Sequence, residues 1–169
     1  MELKLKTISK AGIPEAISKT EIYRSLNEPE EAESICRDIL AVDPAHQLAL
    51  RLLGLAVTDQ FCGDAQDRYR EAETLFQALV DRYERLYYVG LLHERRAKAQ
   101  MRVGRHAHTV APLIEEAMRC FQEAERIRPP GNDDAILRWN RCLRLLQSHP
   151  GFLEERQAEA FDAMDSSPV

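Results

Sequence analysis

Apolar residues recur at helical spacing along most of the chain, and short polar or proline-containing breaks divide them into blocks. Ile13, Ala16, Ile17, Tyr23 and Leu26 form the first stripe, and Asn27-Glu28-Pro29 interrupts it. Asn27 reads as a helix cap and Pro29 as a first-turn residue of the next helix. That helix carries Ala32, Ile35, Cys36, Ile39 and Leu40 and stops at Asp43-Pro44. Gln47 to Thr58 is apolar nearly all round, which predicts a helix covered on more than one side. Gly54 inside it costs about 1 kcal/mol relative to Ala, so a close backbone approach is expected there.

After the loop Phe61-Cys62-Gly63-Asp64, the stretch Tyr69 to Tyr83 places Tyr69, Ala72, Phe76, Leu79, Val80 and Tyr83 on one stripe. No Gly or Pro separates Val80 from Val89, and on pattern alone one helix runs from Tyr69 to Val103. Such a helix would span roughly 50 Å, so a break near Asp81–Arg85 and a new helix from Leu86 to Val103 are preferred. Gly104 reads as the stop of that helix. Thr109 and Pro112 read as the cap and first turn of the next, which carries Leu113, Ala117, Phe121 and Ala124 and ends at Pro129-Pro130-Gly131. A further helix follows Asn132-Asp133-Asp134, with Ile136, Trp139, Leu143 and Leu146 on one face. A short one is expected from Phe152 to Phe161. The domain division is a flexible leader over 1–11, one helical domain over 12–162 and a disordered tail over 163–169.

Small and bulky residues repeat along the second helix of each expected pair: Ala32/Cys36/Ile39, Ala72/Phe76, and Ala117/Phe121/Ala124. Ala32 to Pro44 and Ala117 to Pro129 have the same separation of twelve residues, and Glu84 replaces the proline in the middle copy. The preceding helices contribute Tyr23, then Leu53-Gly54, then Val89-Gly90. With these features the chain resembles the tetratricopeptide repeat family over roughly residues 13–146, as a degenerate member with about three helix pairs and C-terminal helices. Lys19-Thr20 stand where the first copy would have Leu-Gly, and the second and third copies carry extra residues between their helices. The resemblance implies an all-α fold of antiparallel helix pairs stacked as a right-handed superhelix. It also implies that the first helices line a groove for an extended peptide or partner helix. On that register Ile17, Glu21, Arg51, Leu55, Tyr87, Leu91, Glu94 and Arg95 face the groove. The carboxylate clamp by which some members hold a C-terminal tail is not expected, because Ile17, Glu21 and Leu55 occupy the comparable places.

Composition narrows the function. Of 169 residues, 28 are acidic and 23 basic, a net charge of −5 that disfavours nucleic-acid binding along the whole surface. One local basic cluster, Arg95, Arg96, Lys98, Arg102 and Arg105, offers a clamp for an acidic peptide, phosphate or RNA. No apolar core follows the N-terminus as in a signal peptide, and no stretch approaches the ~18 apolar residues of a membrane span. The cysteines Cys36, Cys62, Cys120 and Cys142 lie in no C-x-x-C and read as reduced structural thiols of a cytoplasmic protein. There is no phosphate-binding glycine loop, H-E-x-x-H, G-x-S-x-G or E-x-x-H, so no catalytic, cofactor-binding or metal residue is assigned. His93-Glu94 and His106-x-His108 could in principle meet a metal, but His106 and His108 fall in a loop with no Cys or carboxylate at ligand spacing and are expected to be solvated.

The expectation is therefore a non-enzymatic protein–protein interaction adaptor or scaffold. The alternative is a regulatory or nucleic-acid-associated subunit using the Arg95–Arg105 cluster. Self-association through Tyr87 and Tyr88 is a third expectation.

Overall fold

A computed structural model describes residues 3–63, 65–149 and 151. Among them are seven α-helices and no strand: α1 Ile13–Ser25, α2 Pro29–Val42, α3 Gln47–Asp59, α4 Gln66–Gln77, α5 Arg82–Arg102, α6 Ala107–Arg126 and α7 Asp134–Gln147. The expected helix at 152–161 and the tail at 163–169 lie outside the described residues. Each helix packs on its neighbours in sequence, and α1, α3, α5 and α7 also meet successively. One core runs through the stack, from Ile13 and Ile17 through Phe76 and Phe121 to Leu145 and Leu146.

Local chemistry sets the boundaries, and several differ from the sequence expectation. Asn27 adopts a left-handed conformation (φ 61°) just beyond α1 instead of capping α2, a backbone state that Asn tolerates better than most residues. The break after α4 comes at 78–81, and α5 starts at Arg82, one turn before Leu86. Its cause is Asp81, whose carboxylate accepts from the Glu84 amide at 2.8 Å and satisfies an otherwise orphaned donor. The Arg85 guanidinium also donates to the carbonyls of Leu79 and Val80. Val80 is consequently off the stripe and 75% exposed, whereas Ala72, Phe76 and Leu79 are buried. Helix α6 begins before Thr109, so Thr109 is not its cap and Pro112 lies in its second turn, with its side chain exposed. On α7 the fully covered residues are Ala135, Cys142, Leu145 and Leu146, with Trp139 half-buried against the core.

The small-against-large device is realised twice. The Phe76 ring of α4 lies on Gly54 of α3, and the Phe121 ring of α6 lies on Gly90 of α5. Both rings are wholly buried. At the corresponding place in the first pair Thr20 meets Cys36, a polar contact of 3.9 Å between Oγ1 and Sγ in place of a glycine and an aromatic ring. None of the four cysteines is in a disulfide. Burial pushes the thiols of Cys36 and Cys142 up to about 11 and about 12, which keeps them protonated and unreactive.

Candidate functional site: the face of the odd-numbered helices

The first helices of the successive pairs share one face, and three cavities open along it. The largest, about 420 Å³, lies between Glu21, Arg24 and Ser25 of α1, Arg51, Leu52 and Leu55 of α3, and Tyr88 of α5. A second, about 250 Å³, is bounded by Arg51, Tyr83, Glu84, Tyr87 and Tyr88 together with Asn132 and Asp134 at the start of α7. Arg51 and Tyr88 belong to both, so the two adjoin. A third, about 160 Å³, lies between Thr58 and Asp59 of α3 and Arg95, Lys98 and Arg102 of α5.

Charge pairs tie this face together. The Arg24 guanidinium donates to Asp59 from α1 at 2.8 Å, and Arg95 donates to the other Asp59 oxygen from α5 at 2.5 Å. Arg95 also donates to the Leu55 carbonyl at 3.1 Å and to the Thr58 hydroxyl at 2.5 Å. Burial pulls the Arg95 pKa below its ordinary value, and Asp59 pulls it back up. Arg51 pairs with Glu84 at 2.6 Å and stands over the Tyr88 ring. Tyr83, Tyr87 and Tyr88 form an aromatic run that continues to Phe76 and Phe121, and its ring contacts span 5.0–5.9 Å. Burial is the leading cause that raises the phenol pKa of Tyr83, up to about 12, so it remains a neutral donor, bonded to Asn132 Oδ1 at 3.1 Å.

Of the groove residues expected from the sequence, Arg51, Tyr87 and Arg95 line these cavities, and Leu55 lines the largest while being only 9% exposed. Leu91 and Glu94 do not open onto the face: Leu91 is 3% exposed and Glu94 is wholly buried. The Glu94 carboxylate lies between Lys98 and Arg138, the latter 3.5 Å away on α7, so the next helix covers this part of α5. Register alone did not single out Arg24 and Asp59, although each follows an assigned groove residue by three or four positions (Glu21, Leu55).

The basic cluster is divided: Arg95, Lys98 and Arg102 line the third cavity, and Arg96 and Arg105 lie apart from it. Arg95 is bound to α3 and Lys98 to Glu94. Arg102 donates to the Phe61 carbonyl at 2.9 Å. Arg96 turns to the other side of α5, its guanidinium 4.2 Å from the centre of the Tyr69 ring, and Arg105 is exposed beyond the helix end. Tyr87 and Tyr88 are half-buried within the chain's own aromatic run. His106 and His108 are exposed with stacked rings, and His93 and Glu94 leave α5 on different sides. Among the described residues one set of His, Cys and acidic side chains converges, His93 with Glu116 and Cys120, on the side of α5 away from the cavities above.

No protein-family model, no curated protein and no solved structure matches this chain. Among the described residues no helix is long and apolar enough to cross a membrane.

Proposed function

We propose that this chain is a non-enzymatic helical-repeat adaptor, built in the manner of tetratricopeptide proteins, that binds an extended peptide or a partner helix along the face of α1, α3 and α5. The observation that carries the proposal is the pair of adjoining cavities sharing Arg51 and Tyr88. Together they cross α1, α3 and α5, reach the start of α7, and combine aromatic rings with charges of both signs, the composition of a peptide-binding surface. The repeated seating of an aromatic ring on a glycine, Phe76 on Gly54 and Phe121 on Gly90, supports the repeat reading. The four cysteines, none of them in a disulfide, fit a cytoplasmic setting. A nucleic-acid partner has less behind it, because Arg95, Lys98 and Arg102 already donate to groups of this chain.

Ser25 provides a clean test, since it is exposed at the rim of the cavity between α1, α3 and α5 and its hydroxyl bonds locally, to the Glu21 carbonyl. Ser25→Trp fills the cavity without removing a core contact. A random peptide library displayed on phage is selected against the wild-type protein, and the enriched peptides are then measured against both forms, with circular dichroism as the control for folding. Peptides that bind the wild type and lose at least tenfold in affinity for Ser25→Trp support the adaptor reading. A selection that yields no peptide discriminating between the two overturns it.

A further inference from the structure

Helix α5 presents a second chemistry on the side away from the groove. His93 faces α6, where Glu116 and Cys120 stand one helical turn apart on the same face. One nitrogen, one carboxylate oxygen and one sulfur from these residues lie within 4.8 Å of one another. They open into a cavity of about 450 Å³ that is also lined by Glu73, Leu86, Val89 and Arg119. This cavity shares no lining residue with those of the groove.

We propose that His93, Glu116 and Cys120 bind one divalent transition-metal ion of the zinc type, with a fourth coordination position facing the cavity. Imidazole, carboxylate and thiolate form a donor set that suits zinc and excludes magnesium and calcium, which require oxygen ligands. In a tetrahedral site, bonds of about 2.0 Å to nitrogen and oxygen and about 2.3 Å to sulfur bring ligand atoms to roughly 3.3–3.6 Å from one another. The observed set reaches that spacing by a contraction of no more than about 1.5 Å, within the reach of small side-chain torsions.

The surroundings orient the ligands as a metal site requires. The Tyr69 hydroxyl of α4 lies 3.3 Å from His93 Nδ1; with the metal on Nε2, the ring proton would sit on Nδ1 and be donated to the phenol oxygen. Arg119 donates to both Glu116 oxygens, at 2.5 Å and 3.0 Å. One of these bonds holds the carboxylate in place while the other oxygen turns to the ion. Two effects oppose binding. The charges of Arg119 and of Arg82 and Arg85, which line the same cavity, compete with the cation, and the Cys120 thiol, held protonated by burial, must release its proton to solvent as the sulfur–metal bond forms.

Cobalt(II) is the probe, because a cobalt–thiolate bond adds a charge-transfer absorption that oxygen and nitrogen ligands do not produce. The reduced full chain, stripped with a chelator, is titrated with cobalt. Saturation near one equivalent, a thiolate charge-transfer band and displacement by zinc are expected. Cys120→Ala should remove the band, and Cys62→Ala, at the exposed thiol, should retain it. His93→Ala should weaken binding at least tenfold, and Tyr69→Phe roughly 10- to 100-fold, as for other groups that orient a ligand. Absence of saturable binding, a band that survives in Cys120→Ala, or a band lost in Cys62→Ala overturns the proposal. Where Cys120→Ala does not fold by circular dichroism, wild-type cobalt affinity in His93→Ala overturns it.

Discussion

Phe76 sits more tightly on Gly54 than Phe121 does on Gly90, which makes Gly54→Ala the more discriminating of the two substitutions. A methyl built on Gly54 lies 2.7 Å from Cζ and 2.9 Å from Cδ1 of Phe76, and contacts below 3.0 Å are essentially never observed for real Cβ atoms. The ring has little room to retreat: it is wholly buried and stacks on Tyr88 at 5.4 Å. The two helices must therefore move apart, with an overpacking penalty of about 1–3 kcal/mol. Helix propensity acts in the other direction, since Ala is favoured over Gly by about 1 kcal/mol in a helix interior. Steric overlap with a rigid ring prevails, and a net loss of up to about 2 kcal/mol is expected. For a domain of this size that is a fall in Tm of up to roughly 8 °C. Urea unfolding of wild type, Gly54→Ala, Phe76→Leu and the double variant closes a cycle. The smaller leucine makes room for the methyl, so the double variant should be more stable than the sum of the single effects by about 1 kcal/mol. A Gly54→Ala protein at least as stable as wild type, or strictly additive effects, would show that the ring does not rest on the α3 backbone.

Three further outcomes are expected. Asp81→Ala removes the cap that starts α5 and should cost about 1 kcal/mol in urea unfolding, with Asp81→Asn recovering most of it; equal stability of Asp81→Ala and wild type would refute the cap. Glu33 accepts from Arg37, Gln60 and Arg68, with Arg68 as the leading cause that lowers its pKa from 4.5 to about 2; its stabilising effect is therefore complete above about pH 5 and lost as pH falls toward 2. Wild type should exceed Glu33→Gln by about 1–2 kcal/mol at pH 6, after allowing for solvent screening, and the gap should close with acid; a gap that does not change with pH refutes the assignment. Arg95→Met removes three hydrogen bonds to α3 and should cost about 1–3 kcal/mol, against less than about 1 for Arg51→Met; a neutral Arg95→Met would mean that this guanidinium is not bound to α3.

Helix class and most breaks were legible because apolar period, proline and glycine act locally. Gly54 was read as a point of close approach, and the reason is now visible in Phe76. The α4–α5 boundary was displaced by a turn because neither Gly nor Pro marks it. Its signal, Asp81 three residues before Glu84, is a capping pattern on the chain but was obscured by the apolar stripe running through Val80 and Tyr83. The groove was half legible. Helical register puts Arg51 and Tyr87 on the face where the cavities open, but it cannot show that α7 closes over Leu91 and Glu94, a contact fixed by Arg138 far along the chain. The convergence of His93 with Glu116 and Cys120 has the same character. The i, i+4 pair on α6 is readable, and the histidine that completes it depends on how α5 packs.

The difference between Arg51 and Arg95 indicates where a ligand would engage this face. Both are arginines beside a cavity, and a sequence pattern treats them alike. Arg95 is held by three acceptors on α3 and is partly desolvated, so a phosphate or carboxylate that captured it would have to break three hydrogen bonds, at about 1 kcal/mol each. Arg51 has one carboxylate partner, Glu84, and the two side chains are 29% and 28% exposed, so exchanging that partner costs about 0–1 kcal/mol. An acidic group on an incoming peptide therefore meets Arg51 first, with the Tyr88 ring beneath it and Ser25 across the cavity. On these energetics the proposed peptide would engage the end of the face built by Arg51, Tyr87 and Tyr88, and the Arg24–Asp59–Arg95 ladder would stay in place.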